Sequence, residues 1–471
     1  MKTEKALYDE KEIRIREGGP WSNTYKIVGG IGALFLLFTI GGAFIGESTR
    51  FAFAYLYAYC AFLMIALGGL FFVIVQHLVA ANWSVTVRRT AELLASGLPV
   101  FAVLAIPIFL SFPKLCPMLA PERTGGQHAL LTVVEGQAYA QEGHAEHAAE
   151  PAKAEEPAKA EEHAKADAKD EHAKAEGAHA GGHADHDPHH VLHEETLSRK
   201  AGYFVPAFYY GRAVFYVLVW AYLGWTYFKR SVDQDKSKSL EASKAAYARS
   251  PGALAVFALT LTFAMFDWVM ALEPSWFSTI FGVIMFATAA VSSLTVISLL
   301  TLSLREAGYL KDVVTVEHYH DLGKLLFGFN VFWAYVSFSQ FMLIWYAGLP
   351  EETTYYHMRW DAGPWAAVSM LVLFGHFVIP LFVFMSRNLK RDLPKFKIGL
   401  WLYLPFHFIE WYWLVMPNLM PADYSFHWLD VTALIGIGGC YFAVVLFNMT
   451  KHALIPVGDP RLLRSINFQN A

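Results

Sequence analysis

Residues 51–80 read FAFAYLYAYCAFLMIALGGLFFVIVQHLVA, and no Asp, Glu, Lys or Arg occurs among them. A helix of about 20 apolar residues is long enough to cross the roughly 30 Å of hydrocarbon in a bilayer. The run is apolar at nearly every position instead of alternating with a period of two, which indicates a helix and not a strand of a membrane barrel. We therefore expect this stretch to be a transmembrane helix.

The rest of the chain repeats this pattern. Of its 471 residues, 55% are hydrophobic and 16% are aromatic, which is more apolar side chain than a soluble domain usually contains. The predicted fold is therefore all-α, a polytopic membrane protein with ten transmembrane helices. The predicted spans lie at 25–46, 51–80, 92–112, 203–228, 252–272, 277–304, 322–348, 364–386, 397–416 and 428–450.

The basic residues indicate how the chain lies in the membrane. The two tails, 1–24 and 451–471, and every second short loop hold most of the Lys and Arg, whereas the short loops between them hold only Arg50 and Arg359. Basic loops stay on the cytoplasmic side of a membrane, so we expect both termini to be cytoplasmic. The N-tail lacks an early apolar core, and we expect no cleaved signal peptide.

The loop at 113–202 separates helices one to three (25–112) from helices four to ten (203–450) and has a different composition. Residues 151–177 repeat a six-residue Ala/Lys/Glu unit, and ten of the 19 histidines fall between 144 and 193. We expect a solvated, partly helical or disordered extension on the periplasmic side. The alternative is weak binding of Zn, Ni or Cu by the imidazoles.

The three cysteines, at 60, 116 and 440, lie far apart and belong to no CxxCH or multi-cysteine motif. Covalent haem c and iron–sulfur clusters both need such motifs. We therefore expect that this chain has no metal site and binds no redox cofactor of its own.

Ionisable side chains inside the predicted spans are candidates for function, because burying them in hydrocarbon is costly unless they face protein or water. His77 lies near the cytoplasmic end of its helix, where a bond to a neighbouring backbone group would explain it equally well. The full set is His77, Arg212, Asp267, Glu273, His376, His407 and Glu410.

Arg212 lies about nine residues into its predicted helix, too deep for its side chain to reach either surface easily. It needs an anion, and Asp267 lies in the same outer half of the membrane, about 7 Å from the boundary. We expect an ion pair between them. The alternative is that Asp267 has a raised pKa and exchanges protons. Glu273 lies at the outer boundary, just before Pro274.

His376 lies near mid-membrane, ahead of Pro380, which predicts a kink. His407 and Glu410 are at positions i and i+3 and so share one face of their helix. That spacing could place two ligands on a metal ion, but a single pair is too little for a metal site. We expect a hydrogen-bonded His407–Glu410 pair, either structural or proton-carrying.

The segment HDLGKLLFGFNVFWAYVSFSQ, residues 320–340, carries polar groups in an otherwise apolar helix. On a helical wheel, Asn330, Trp333, Ser337 and Gln340 fall within about 80° of one another. We expect this polar seam to form hydrogen bonds that join helices. The alternative is a wire of water molecules or protons.

A short sequence pattern occurs in two of the predicted helices. Asp267 precedes Pro274 by the same spacing with which Glu410 precedes Pro417, and a Trp follows each acid. Each acid lies at the outer end of a helix that runs outward. Two repeats, helices two to five and six to nine, would account for this, so we predict two four-helix bundles flanked by helices one and ten.

Three segments carry a family resemblance: FDWVMALEPSWFSTIFG (266–282), HDLGKLLFGFNVFWAYVSFSQFMLIWYAGLPEET (320–353) and IPVGDPRLLRSINF (455–468). They resemble the F subunits of alternative complex III, a bacterial quinol:electron-acceptor oxidoreductase, which are among its large integral membrane subunits. The resemblance covers all ten predicted spans and both tails. The Ala/Lys/Glu/His-rich tract is the one departure, so the resemblance implies no role for it.

The resemblance implies a subunit of the bacterial inner membrane, related to the membrane anchors of polysulfide reductase. Its partners would be a sister quinol-binding membrane subunit, an iron–sulfur subunit and subunits with c-type haem, with a terminal oxidase as a further partner. The present chain would scaffold this complex in contact with lipids and conduct protons through the residues above. It would bind no nucleic acid.

Two other functions remain open from the sequence. The chain could bind quinol itself, with an imidazole or carboxylate accepting the hydroxyl proton. It could instead be a secondary transporter that works alone, which inverted repeats would favour. The two helices that share the pattern described above both run outward, so the predicted repeats are parallel and not inverted. This argues against the transporter.

Overall fold

The computed structural model describes residues 13–19, 21–119, 197–361, 363–421 and 424–470. Within these ranges the chain consists of helices and loops and contains no strand. The Ala/Lys/Glu repeat and the His-rich stretch lie outside these ranges. The expected solvated extension and its alternative, weak metal binding, therefore remain predictions. The helices are α1 (Thr24–Gly42), α2 (Ser48–Leu78), α3 (Val85–Ala95), α4 (Leu98–Leu104), α5 (Ile106–Leu115), α6 (Pro206–Ser237), α7 (Leu240–Trp268), α8 (Phe281–Glu306), α9 (Val316–Ala347), α10 (Pro350–Trp360), α11 (Pro364–Leu371), α12 (Ile379–Met385), α13 (Arg387–Arg391), α14 (Leu393–Val415), α15 (Trp428–Lys451) and α16 (Leu462–Ile466).

Seven helical segments are long and apolar enough to cross a membrane. They are α1, α2, α7 with the turn after it, α8, α9, α11 together with α12, and α15. An eighth is formed by Val85–Leu104 and Ile106–Leu115 if these two parts, bent by 60° relative to each other, are one span. The chain is thus an all-helical, multi-pass membrane protein, as predicted.

The predicted number of ten spans is not confirmed. Helices α6 and α14 occupy the predicted spans at 203–228 and 397–416 and are 32 and 23 residues long, but neither qualifies by its hydropathy and charge. Both are rich in Tyr and Trp, whose polar groups reduce the hydropathy of a helix that is otherwise apolar. Lys395 and Lys397 add charge at the start of α14.

The tails and loops gather at two opposite ends of the helices. At one end the backbone N–H of Leu454 donates to the carbonyl of Ile13 over 3.1 Å, so the segments beside both tails meet there. We call this end the tail face. At the other end, the far face, Arg50 at the start of α2 donates to the carbonyl of Ser425 over 2.9 Å.

Helices α2 and α8 form the centre of the molecule. In the most apolar window of α2, 89% of the residues are buried, and in α8 83% are, whereas in α1 only 17% are. The two central helices touch at Gly68, where a Cβ atom would lie 1.9 Å from the carbonyl oxygen of Ala289. No larger residue fits there unless the helices move apart, so this glycine sets how closely they pack.

Helices α1 and α15 pack against each other along their lengths through small residues. A Cβ atom on Gly32 would lie 2.6 Å from the backbone nitrogen of Cys440, and one on Gly436 would lie 2.7 Å from the backbone nitrogen of Leu36. Close approach of backbones through glycine is a common way for helices to associate in lipid.

This contact gives a matched pair of variants on one helix. We expect Gly32→Val to lower the free energy of unfolding by about 1–3 kcal/mol, because the added side chain meets backbone atoms that cannot yield. Gly30→Val changes the same residue type in the same helix, but no atom lies within 4 Å of a Cβ at Gly30. Unfolding titrations in detergent micelles would measure both. Equal losses would show that helix propensity, and not the contact, controls stability here.

Candidate functional site

Side chains from three neighbouring elements contact a buried carboxylate on α14. The side chain of Glu410 is 2% exposed. Its Oε1 accepts hydrogen bonds from Thr288 Oγ1 on α8 over 2.9 Å and from Trp333 Nε1 on α9 over 2.7 Å, and its Oε2 lies 3.1 Å from His376 Nε2. We refer to Glu410, His376, Thr288, Trp333 and Tyr403, which contacts His376, as the Glu410 cluster.

His376 belongs to a π-helix, Val372–Val378, that joins α11 to α12. Single π-helical turns inside α-helices are often found at functional sites, because the extra residue re-aims side chains and frees backbone carbonyls. Here Asn330 Nδ2 donates to the carbonyl of Phe377 over 3.4 Å. The sequence predicts a kink at Pro380, and the structure shows a π-turn just ahead of this residue.

The imidazole of His376 is fully buried between aromatic side chains. Its ring centroid lies 4.2 Å from that of Trp333, and its Nε2 lies 2.7 Å from the hydroxyl of Tyr403 as well as near Glu410. When Nε2 carries a proton it can donate to the carboxylate or to the phenol oxygen, and when it carries none it can accept a hydrogen bond from the phenol. Tyr403, His376 and Glu410 therefore form a short chain of groups that can share protons.

The prediction of a hydrogen bond between His407 and Glu410 is wrong. The Nε2 of His407 lies 2.9 Å from the carbonyl oxygen of Ala61 on α2, and its Nδ1 has no hydrogen-bond partner among the residues that the structure describes. Both side chains do point inward, as their spacing predicts. The π-helix, however, brings His376 to the carboxylate, and the close packing of α2 brings a backbone carbonyl to His407.

Tyr355 on α10 lies between the Glu410 cluster and the far face. Its phenol is within electrostatic range of Glu410, Glu273 and Arg359. The guanidinium of Arg359 stacks 3.7 Å above the ring of Tyr355 and donates to the carbonyls of Tyr355, over 2.8 Å, and Leu414, over 3.2 Å. A run of polar groups thus leads from the buried carboxylate toward the far face.

Glu273 lies at the outer end of this run, in the loop after α7. Burial raises the pKa of its carboxyl, and the nearby Arg359 only partly opposes this. Its Oε1 accepts a hydrogen bond from Thr354 over 3.0 Å, and its Oε2 has no partner in the described part of the chain. A carboxyl with a raised pKa at a protein surface is suited to accepting and releasing protons.

The expected ion pair between Arg212 and Asp267 is present. Asp267 Oδ2 and Oδ1 accept from Nε and Nη2 of Arg212, each over 3.0 Å, and Tyr216 donates to the same carboxylate over 3.0 Å. The guanidinium also stacks 3.8 Å above the ring of Tyr203. This two-point contact holds the charge of Asp267 in place, which supports a structural role over proton exchange.

The polar seam on α9 faces the protein interior and contacts several elements. Asn330 reaches the π-helix and Trp333 reaches α14, as described above. Gln340 accepts from Ser278 over 2.7 Å and donates to Tyr356 on α10 over 3.1 Å. Ser337 Oγ has no hydrogen-bond partner within the described ranges. Three of the four predicted seam residues thus join α9 to its neighbours.

A buried ion network at the tail face was not predicted from the sequence. Arg88 Nε lies 2.9 Å from Glu92, and its Nη2 lies 2.8 Å from Asp459. Arg89 bridges the other oxygen of Glu92, over 3.0 Å, and Asp235, over 2.7 Å. Burial alone would raise the pKa of Asp459, but the guanidinium groups of Arg88 and of Arg461 hold it well below its usual range. We refer to these six residues as the ion network.

His77 lies apart from the Glu410 cluster, at the tail-face end of α2. Its side chain is 5% exposed and lines a cavity of about 470 Å³ between α6 and α7. The structure therefore brings three of the seven predicted site residues together at the Glu410 cluster, with His376 and Glu410 in direct contact and His407 within electrostatic range of both, while Arg212 and Asp267 form a separate pair. In the described part of the chain, no three His, Cys, Asp or Glu side chains converge as metal ligands would.

Tyr403, Thr288 and Tyr355 also belong to the site, although the sequence analysis did not single them out. Tyr403 is seven residues before Glu410, two helical turns away on the same face, and that spacing could have revealed it. Thr288 is one of several Ser and Thr residues in α8, and Tyr355 is one of many tyrosines, so neither has a distinguishing signal in the sequence.

In comparisons with known proteins, no family model matches the chain and no curated protein matches it.

Proposed function

We propose that this chain is an integral membrane subunit of a respiratory quinol oxidoreductase of the alternative complex III kind. In this proposal it scaffolds the complex in the bacterial inner membrane and carries a proton-transfer site at Glu410. The observation that carries the proposal is the Glu410 cluster, a carboxylate, an imidazole and a phenol in contact within a helical membrane protein. Buried ionisable groups of this kind mark proton relays in membrane proteins.

Helices of the same predicted four-helix bundle pack against one another, and α2 and α8 also pack together across the two predicted bundles. Helix α2 packs against α3 and α7, while α6 packs against α4 and α7. In the second half, α8 packs against α9 and α14, α9 against α12, and α14 against the π-helix. Helices α1 and α15 pair beside them. The basic loops lie at the tail face, which we place in the cytoplasm.

The proposed proton path runs between the far face and Glu410. A proton taken up by Glu273 passes by way of Tyr355 to the buried carboxylate, where Thr288 and Trp333 stabilise the ionised form by hydrogen bonds to Oε1. Oε2 is left to exchange the proton with His376.

The first experiment asks whether the chain belongs to a redox complex. Mild detergent extraction from native membranes, followed by mass spectrometry and visible spectroscopy, should show c-type haem and iron–sulfur subunits in the same particle. A chain that is isolated alone under conditions that preserve other respiratory complexes would contradict the proposal.

The second experiment tests the proton site in the intact complex. We expect Glu410→Gln to lower proton translocation in proteoliposomes by about tenfold or more, because the amide keeps the shape of the side chain but cannot carry the proton. Glu306→Gln, at the end of α8 and 57% exposed, is the matched control. Subunit content and thermal unfolding must be unchanged in both variants. Normal proton translocation by the Glu410→Gln complex would refute the proton path.

A further inference from the structure

A cavity between α6 and α7 lies outside the proton path. Its volume is about 470 Å³, and its lining on α6 extends from Val219 to Gln234, roughly 22 Å along the helix at 1.5 Å per residue. On α7 the lining extends from Ala242 to Val256. A cavity of this length holds a chain-like molecule better than a compact one.

The cavity changes character along its length. Toward the far face, apolar side chains such as Val219, Leu223 and Val256 line it. Toward the tail face, Arg230 on α6 and Arg249 on α7 line it from its two sides, and both are exposed. Both helices pass from apolar to charged sequence at this level, which is the pattern of a membrane–water interface.

No carboxylate of the described residues forms an ion pair with Arg230 or Arg249. Two guanidinium groups on facing helices therefore lie together at the mouth of one cavity. Guanidinium groups bind phosphate oxygens by paired hydrogen bonds, so the charge of the cavity mouth is complementary to a phosphate group.

A buried imidazole supplies an independent sign of a ligand. His77 on α2 lines the cavity and is 5% exposed, yet its Nδ1 has no hydrogen-bond partner within the described ranges. Oγ1 of Thr226, which also lines the cavity, is likewise buried and without a partner there. Buried polar atoms normally have a partner, and two of them beside one cavity suggest that a bound molecule provides it.

We propose that this cavity is a binding site for an anionic phospholipid of the membrane leaflet at the tail face. Its phosphate lies between Arg230 and Arg249, and the glycerol and ester oxygens are within reach of His77 and Thr226. One acyl chain follows the apolar lining between α6 and α7. A free phosphate shares the head-group chemistry but leaves the apolar part of the cavity unfilled.

The test is lipid binding to the purified full-length protein, followed by native mass spectrometry. Delipidated protein is titrated with phosphatidylglycerol and with phosphatidylcholine of the same acyl chains. We expect one site that prefers phosphatidylglycerol by at least tenfold. The double variant Arg230→Gln/Arg249→Gln should lose this preference. The matched control is Lys229→Gln, which removes an adjacent cation that packs 4.6 Å from the ring of Trp225 and does not line the cavity.

A further variant separates the cavity from general surface charge. Ala246→Trp should fill the cavity without altering a charge and should weaken binding at least tenfold, provided that thermal unfolding shows the fold to be intact. Several outcomes would overturn the proposal. They are equal binding of the two lipids, equal losses with Lys229→Gln and the double variant, or displacement of the lipid by inorganic phosphate, which would make the site one for free phosphate.

Discussion

Replacement of Glu92 by glutamine is expected to lower the free energy of unfolding by about 3–5 kcal/mol. Glu92 lies between Arg88 and Arg89, and all three side chains are fully buried. The amide would leave three guanidinium groups of the ion network facing two carboxylates, so one positive charge would be buried without compensation. Unfolding titrations in detergent micelles, with helix content followed by circular dichroism, would measure the loss.

Glu306→Gln is the control for this variant. Glu306 also forms an ion pair, with Lys397, but its side chain is 57% exposed and that of Lys397 is 27% exposed. Ion pairs in contact with water contribute only about 0–1 kcal/mol, because solvent screens the charges and both side chains lose freedom. Similar losses in Glu92→Gln and Glu306→Gln would show that burial of the network does not determine its contribution.

Replacement of Arg212 by methionine is expected to lower the free energy of unfolding by about 3 kcal/mol or more, because Asp267 would remain buried without its cationic partner, although Tyr216 would still donate to it. The double variant Arg212→Met/Asp267→Leu removes both charges and should recover most of the lost stability, since well-packed apolar side chains can replace a buried ion pair. The same unfolding titration applies to both variants.

This pair of variants also separates the two roles that the sequence left open for Asp267. If the carboxylate serves only to bind Arg212, the double variant should assemble and translocate protons normally. A double variant that is stable but has lost proton translocation would assign Asp267 to the proton path. A double variant no more stable than Arg212→Met would contradict the ion-pair argument.

A contact between two side chains could be predicted from the sequence only where their depth in the membrane left few possible partners. Arg212 could reach few anions, and Asp267 was the one at its level, so the pair could be predicted. Glu410 has many neighbours at its own depth. Its true partner, His376, is brought to it by a π-turn, and hydrophobic periodicity assumes a regular α-helix and cannot show such a turn.

The amino-acid composition of two helices likewise explains why the predicted number of spans is not confirmed. Helices α6 and α14 have the length of the other spans, but they carry the Tyr, Trp and ionisable side chains from which the sites are built. Hydropathy falls where such polar groups are present, so hydropathy does not decide whether these two helices are spans. The ion network was missed because Asp459 and Arg461 follow Arg88 by some 370 residues, a separation over which no local pattern operates.

The central position of α2 has a consequence for how the protein is made. Helix α2 enters the membrane early, but α15, one of the helices that enclose it, ends at Lys451. At about 5–20 residues per second, synthesis reaches the start of α15 roughly 20–70 s after α2 is complete. During that interval the surface of α2 around Phe62, which Gly438 of α15 contacts in the folded protein, is open to lipid and to unintended helices. The interval grows with every residue inserted between them, so the tract at 151–193 lengthens the time in which the nascent chain can mispair.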